Sequence, residues 1–136
     1  MRKIYWKNLE EGERRETEAI DIIKKTLNLK LLIKDAHRFS PYDFRSDVGW
    51  VEYRTRTCNH DTYSTTMIPA SKVLFSKETE IPCFIFIQFN DLLTYWEVPK
   101  NFNCIYQGGG RCDRGENEFS WGKKYCYLPV SLMTIV

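Results

Sequence analysis

The stretch from Pro41 to Thr57 constrains the fold most, because it has the pattern of two β-strands joined by a tight turn. Residues 42–45 are predicted to form the first strand, and residues 46–49, Ser-Asp-Val-Gly, are turn-forming residues with glycine last. Residues 50–57 are predicted to be the returning strand. Successive side chains of a strand point to opposite faces, so the even positions of this strand share one face. They are Trp50, Glu52, Arg54 and Arg56.

Helical and apolar segments surround this predicted hairpin. Residues 10–27 are predicted to be an amphipathic helix, because apolar side chains recur at helical spacing and charged residues fill the other side. The further predicted elements are a strand at residues 29–34, a helix at 66–77 with Pro69 in its first turn, and strands at 81–89 and 92–98 that form a hairpin. A tail follows from residue 101 and ends in a strand-like run at residues 125–136.

Length and composition indicate one globular α/β domain. A chain of 136 residues has a common size for a single domain, and 43% hydrophobic with 28% charged residues excludes disorder. We expect one domain over residues 1–136, with a core at about 10–98 and a loop-rich extension at 101–136. No apolar run is long enough to span a bilayer, and the N-terminus has no signal-peptide core. We therefore expect a cytoplasmic protein without membrane contact.

The cysteine pattern has two possible interpretations. Five cysteines show no Cys-x-x-Cys spacing, and the chain has no secretion signal, so reduced, buried or half-buried thiols are expected. The alternative is a zinc-stabilised interaction domain that uses Cys104, Cys112, Cys126 and a histidine.

Asp43 and Glu52 are the residues of the predicted hairpin with the clearest chemistry. A hairpin with Asp43 entering its first strand and Glu52 in its second brings both carboxylates to one end of one face. Two convergent carboxylates of this kind bind hard divalent cations, with water and phosphate completing the shell. Such a cation polarises a phosphate and activates a water for in-line attack. Arg54 lies two residues after Glu52 on the same face, where it can neutralise the developing charge.

At this point the sequence resembles the PD-(D/E)xK, or restriction-endonuclease-like, superfamily of nucleases. The resemblance is carried by Ser40-Pro41-Tyr42-Asp43-Phe44 and, further on, Val51-Glu52-Tyr53-Arg54-Thr55-Arg56. It implies an α-β-β-β-α-β core with a mixed central sheet flanked by helices. It also implies Mg²⁺ or Mn²⁺ as cofactor, with Asp43 and Glu52 as ligands. The tail, with Gly108 to Arg114 and Tyr127 to Val130, more loosely resembles small phage or large-virus members.

The first-helix glutamate of the superfamily, which often serves as a further ligand, is best matched by Glu16. This residue shares the inward stripe of the predicted helix, and Glu13 extends that stripe by one turn. A carboxylate on a buried stripe needs a partner or a metal. The alternative is a glutamate at the start of the helix that reaches solvent.

The sequence departs from the superfamily pattern at Arg54, where the family has lysine. Arginine stays protonated and offers a broad planar fork, so it can stabilise phosphate charge but cannot act as a base near neutral pH. Either Lys72 of the second predicted helix supplies the ammonium, or Arg54 suffices, or the site is catalytically degenerate.

Three further arginines are candidate nucleic-acid contacts, namely Arg56 on the face of Glu52, and Arg111 and Arg114 beside the glycine-rich loop. Salt bridges to nearby acidic residues are the alternative for the last two. Asp47 is predicted to be a turn residue rather than a ligand, and neither His37 nor His60 is given a role.

These observations favour a Mg²⁺-dependent endonuclease that acts on DNA and is structure-selective or weakly sequence-specific. RNA is not excluded as substrate, and a homodimer would supply a second cut. The alternative is a catalytically degenerate nuclease-fold module that binds nucleic acid or a protein partner.

Overall fold

A computed structural model describes residues 17–35, 40–102, 106–108 and 124–136 of the chain. The elements, in chain order, are helix α1 (residues 17–26), β1 (Leu32–Lys34), β2 (Phe44–Ser46), β3 (Trp50–Thr55), β4 (Thr65–Pro69), helix α2 (Ala70–Glu78), β5 (Cys83–Gln88), β6 (Leu93–Glu97), β7 (Tyr106–Gly108), β8 (Lys124–Pro129), a 3-10 turn (Val130–Leu132) and β9 (Thr134–Ile135). No helix among these residues has both the length and the apolar character needed to cross a membrane.

The strands form a six-stranded mixed sheet and a smaller three-stranded one. The larger sheet has the order β1-β2-β3-β5-β6-β9, and the smaller has the order β4-β8-β7. Strands β3 and β5 are parallel, and the other paired strands are antiparallel. Parallel neighbours need a long crossover, which here contains β4 and α2. The predicted α-β-β-β-α-β core is confirmed, with β4 as an addition before the second helix.

The two faces of the larger sheet are buried in two separate cores. On the α1 side, the core contains Ala19, Ile23, Phe44, Val51, Phe84 and Phe86. On the opposite side, Ile85, Ile87 and Trp96 pack with Val73 of α2 and with Ile68 and Leu128 of the smaller sheet. Strand β5 is therefore buried on both faces, which explains its unbroken apolar sequence. The predicted alternation of β3 is confirmed, since Val51 and Trp50 belong to different cores.

The predicted helix at residues 66–77 is wrong in its first turn. Residues Thr65–Pro69 form β4, which pairs with β8, and α2 begins only at Ala70. Two physical reasons favour the strand. Thr65, Thr66 and Ile68 are β-branched and suit a pleated surface. Pro69 also disfavours a helical conformation for the residue before it, so the helix starts after the proline.

Helix α1 ends at a left-handed residue, and this shortens the first predicted strand. Asn28 has φ 53°, and the N–H of Leu29 bonds back to the carbonyl of Lys24 at 2.8 Å. Asparagine tolerates this conformation at a helix end better than most residues. The carboxylate of Asp47 then accepts the N–H groups of Lys30 and Leu31, each at 3.1 Å. Strand β1 therefore begins at Leu32, three residues later than predicted.

The turn between β2 and β3 requires glycine at position 49. A Cβ atom there would lie 2.1 Å from the carbonyl oxygen of Pro82, which accepts a hydrogen bond from the N–H of Trp50 at 2.9 Å. This close approach joins the hairpin to the segment that leads into β5. The hairpin prediction is confirmed.

The C-terminal tail contributes to both sheets. Strand β8 pairs with β4, and β9 pairs with the outer side of β6, so the predicted continuous run is interrupted by the 3-10 turn after Pro129. Cys126 of β8 is disulfide-bonded, whereas Cys58 and Cys83 are free thiols. The expectation of reduced cysteines is therefore wrong at Cys126, because spacing along the chain does not reveal which cysteines come together in the fold. A disulfide-bonded Cys126 also does not fit the zinc alternative, which needs its thiolate.

Candidate active site

The β2–β3 hairpin places Asp43 opposite Glu52. The register pairs Phe44 with Val51, so Asp43 and Glu52 are the next facing positions. The backbone N–H of Asp43 donates to Oε1 of Glu52 at 3.1 Å, and Oδ2 of Asp43 accepts the N–H of Tyr53 at 3.4 Å. Because these N–H groups bind side chains, regular pairing starts at Phe44 and not at Tyr42 as predicted. The two carboxylates lie at one end of the hairpin.

Glu52 is a buried carboxylate held by two basic side chains. Its side chain is only 2% exposed, and Oε2 accepts a hydrogen bond from Arg54 Nε at 3.1 Å and forms a salt bridge with Arg54 Nη2 at 2.9 Å. The ammonium of Lys72, from α2, lies 3.2 Å from the same oxygen. The structure thus brings together Asp43, Glu52, Arg54 and Lys72, from two strands and a helix.

Contacts with the segment before Asp43 fix the position of Lys72. Its Nζ donates to the carbonyl oxygen of Pro41 and lies 5.3 Å from the ring centroid of Tyr42. In return, the buried hydroxyl of Tyr42 donates to the carbonyl oxygen of Lys72 at 2.9 Å. Tyr42 and Pro41 therefore orient the ammonium. Neither role could be predicted from the sequence. Pro41 acts through its backbone carbonyl, which any residue has, and Tyr42 has the pattern of an ordinary aromatic residue of the core.

Burial is the main cause that raises the pKa of Glu52 above its ordinary value. The positive charge of Lys72 opposes this shift, the charge of Asp43 adds to it, and Arg54 again opposes it. Repulsion between the two carboxylates is therefore present, but it is secondary to burial.

This raised pKa predicts how the stability of the metal-free protein depends on pH. Between the ordinary glutamate value of 4.5 and the raised pKa, the folded chain keeps a proton on Glu52 that the unfolded chain has lost. The folded state then binds more protons than the unfolded state. The contribution of Glu52 to the free energy of unfolding therefore falls as pH rises through this window. Urea unfolding in EDTA should show wild type losing free energy of unfolding relative to Glu52→Gln as pH increases above 4.5. A relative gain over the same window would contradict the assignment.

Arg56 directly follows β3, and its guanidinium is bound to backbone carbonyls. It donates to the carbonyl oxygen of Thr55 at 2.9 Å and to that of Met67 at 2.5 Å. Burial lowers its pKa. Arg56 thus connects the end of β3 to β4, and phosphate contact remains a prediction for it. The predicted roles of Glu16, Arg111 and Arg114, and the positions of Glu13 and His37, lie outside the described residues.

A second group of metal-ligating side chains lies at the far end of the sheet. His60, Asp61 and Asp91 offer ligand atoms within 4.8 Å of one another. His60 Nδ1 lies 2.6 Å from Oδ2 of Asp91, and its backbone N–H donates to Oδ1 at 2.9 Å. These contacts already join the β3–β4 connection to the β5–β6 turn. No sequence pattern pairs Asp91 with His60, because the two come from different turns.

The donor chemistry at Asp43 and Glu52 fits a hard divalent cation. Mg²⁺ is commonly held by one or two carboxylates together with substrate phosphates and water. Three donor atoms lie at Oε2 of Glu52, whereas Oε1 accepts the Asp43 N–H and, among the contacts of the described residues, has a lone pair left for a cation. The side chain of Asp43 is exposed and accessible from solvent. A cation next to Glu52 would take over part of the charge balance that Arg54 and Lys72 now supply.

The sheet order, the crossover helix and the paired carboxylates define a restriction-endonuclease-like fold of the PD-(D/E)xK class. A family profile described as "Phage putative PDDEXK endonuclease" matches residues 8–136, and the chain belongs to that family. Nucleases of this class are generally dependent on divalent metals. No curated protein and no solved structure matches the chain.

Proposed function

We propose that the protein is a Mg²⁺- or Mn²⁺-dependent endonuclease that hydrolyses phosphodiester bonds in DNA. The observation that carries this proposal is the buried carboxylate of Glu52, opposite Asp43 and within 3.2 Å of the Lys72 ammonium. A catalytic site for phosphate chemistry needs acidic ligands and fixed positive charge at the same place. Membership of a phage endonuclease family supports the same conclusion.

Asp43 and Glu52 are the proposed metal ligands, with Glu16 as a third. A divalent ion held by them would polarise the scissile phosphate and lower the pKa of a water. Within this chain, burial and the hydrogen bond from the Asp43 N–H hold the Glu52 carboxylate in a fixed orientation. A preoriented ligand needs little rearrangement when substrate arrives.

Arg54 and Lys72 are the proposed stabilisers of the charge that develops on the phosphate. Both donate to Oε2 of Glu52 in the absence of substrate, and both have donors left for phosphate oxygens. The Arg54 side chain is 33% exposed, so its fork can turn toward a substrate. Neither role requires a base, which arginine could not supply near neutral pH. Arg56, Arg111 and Arg114 are the proposed contacts to the nucleic-acid backbone.

The cluster of Glu52, Arg54 and Lys72 also favours a second candidate function. One carboxylate between two cations is electrostatically satisfied without metal, as expected for a degenerate module that binds nucleic acid or a protein partner. In the active case, the proposed cleavage is structure-selective or weakly sequence-specific, and a homodimer would supply a second cut.

Metal removal distinguishes the two functions. Supercoiled plasmid and branched DNA should be cut by wild-type protein in millimolar Mg²⁺ or Mn²⁺, and EDTA should abolish the cleavage because the ligands alone cannot activate water. Gel analysis of nicked and linear products measures the result. A folded wild-type protein that cuts neither substrate with either metal would establish the degenerate module instead.

A further inference from the structure

A cavity of about 320 Å³ lies where the β3–β4 connection meets the smaller sheet. Its lining is aromatic and mostly apolar, with Tyr63, Phe89 and Tyr127 among its residues. Tyr63 is 66% exposed, so its ring is accessible to a ligand that enters from solvent. Arg56 and Asn59 supply polar groups at the same place. The volume is at the lower end of the range of about 300–1,000 Å³ typical of small-molecule sites, so it suits one flat ring system.

The cavity and the candidate active site are connected by one face of β3. Glu52 and Arg54 alternate along this face, and Arg56, the residue that directly follows β3, lines the cavity. At about 3.3 Å per residue, Arg56 lies about 13 Å along the strand direction from Glu52. Nucleotides of one DNA strand rise about 3.4 Å each in a duplex, so this distance covers about four nucleotides, and fewer when the strand is extended. A strand bound at Glu52 therefore passes the cavity within a few nucleotides.

The lining matches the chemistry of an unpaired nucleobase. Every base has flat faces that stack on aromatic side chains, and one such stack is worth about 1–3 kcal/mol. The exposed amide of Asn59 offers a donor and an acceptor for the edge of a base. Arg56 lies beside the ring site, where a guanidinium can contact the adjoining phosphate or stack. A base inside an intact duplex is paired and stacked, so it cannot enter the cavity without being extruded.

We propose that this cavity binds an unpaired base of the substrate, and that the enzyme therefore prefers nucleic acid with a single-stranded nucleotide near the cleaved bond. The inference rests on the proposed nuclease function and names its substrate class. Tyr63 supplies the stacking surface, and Asn59 contacts the base edge. The acidic side chains of Asp61 and Asp91 repel phosphates, which favours passage of the strand along the Arg54 and Arg56 side.

Binding measurements test this inference separately from cleavage. Glu52→Gln serves as the background, so that no strand is cut during the measurement. Fluorescence anisotropy is recorded in Mg²⁺ with a perfect duplex, the same duplex carrying a single-stranded flap, and the isolated single strand as DNA and as RNA. Tyr63→Ala should weaken flap and single-strand binding by about 5- to 150-fold, the equivalent of one lost stack. Duplex binding should not change.

Two further variants make the test specific. Tyr63→Phe should bind like the background protein, because the ring is retained. Ile33→Ala should have no effect, since Ile33 is similarly exposed, at 53%, but lies on β1 at the edge of the larger sheet. Melting temperatures show that each variant is folded.

The possible outcomes separate the two proposals. Equal weakening of duplex and flap binding by Tyr63→Ala, or no weakening of either, would overturn the base site and leave the nuclease proposal standing. Tighter binding of the RNA strand with the same Tyr63 effect would support the base site but overturn DNA as substrate. If no folded variant binds any nucleic acid, both proposals are wrong.

Discussion

Replacing Glu52 by glutamine is expected to lower the rate of DNA cleavage by about 1,000-fold or more, since loss of a metal ligand removes several kcal/mol of transition-state stabilisation. Glutamine has the shape of glutamate and can still accept hydrogen bonds from the Asp43 N–H and from Lys72. It lacks the negative charge that holds a divalent ion. The effect should therefore appear in the rate of cleavage at a metal concentration that saturates the wild type, with little change in the folded structure.

The matched control for this variant is Glu97→Gln. Glu97 is an exposed glutamate of β6 in the same sheet, outside the candidate active site. It should cleave like wild type in the same plasmid assay. Full activity of Glu52→Gln, or equal loss in both variants, would show that cleavage does not depend on the buried carboxylate.

Replacing Arg54 by alanine is expected to reduce cleavage by about 100-fold or more, the usual cost of removing one preorganised charge stabiliser. The fold should remain, because the Lys72 ammonium still lies 3.2 Å from Oε2 of Glu52 and balances the buried charge. Arg54→Lys should retain or improve activity. It places an ammonium two residues after Glu52, where the PD-(D/E)xK superfamily has its lysine.

The interpretation of the Arg54 variants depends on Lys72. The ammonium of Lys72 reaches Oε2 of Glu52 from α2, at 3.2 Å, so it can perform the function of the missing lysine. Lys72→Met is made in the Arg54→Lys background, and Lys77→Met, at an exposed lysine of the same helix, is the control. The loss of cleavage in Lys72→Met measures how much of the charge stabilisation Lys72 supplies. If Arg54→Ala and Arg54→Lys cut DNA like wild type and the variant that also carries Lys72→Met does not, Lys72 is the charge stabiliser. If every one of these variants cuts like wild type, neither residue has the proposed role.

Much of this site could be predicted from local patterns. The alternation of residues 50–57 places Glu52 and Arg54 on one face, and a turn ending in glycine predicts the hairpin that brings Asp43 opposite Glu52. These are short-range consequences of backbone geometry. The position of Lys72 was predicted through the family resemblance, and the structure places its ammonium within a salt-bridge distance of Glu52.

What could not be predicted depends on contacts between distant segments. The sequence of β4 predicts the start of a helix. Its strand conformation depends on pairing with residues of β8 that are about 60 positions away. The anchoring of Lys72 by Pro41 and Tyr42 joins residues about 30 positions apart. Helix α2 has a weak amphipathic pattern of its own, so its start depends on Pro69 and on the neighbouring strand.

Calorimetric titration of Mn²⁺ into the metal-free protein tests the central claim most directly, because it does not depend on finding the right substrate. Wild type should bind the ion, and Asp43→Asn and Glu52→Gln should each lose that binding while remaining folded. His60→Ala should bind like wild type, which excludes the second group of ligating side chains as the source of the heat. If folded wild type binds no Mn²⁺ at millimolar concentration, or if both carboxylate variants bind it as wild type does, Asp43 and Glu52 do not form a metal site.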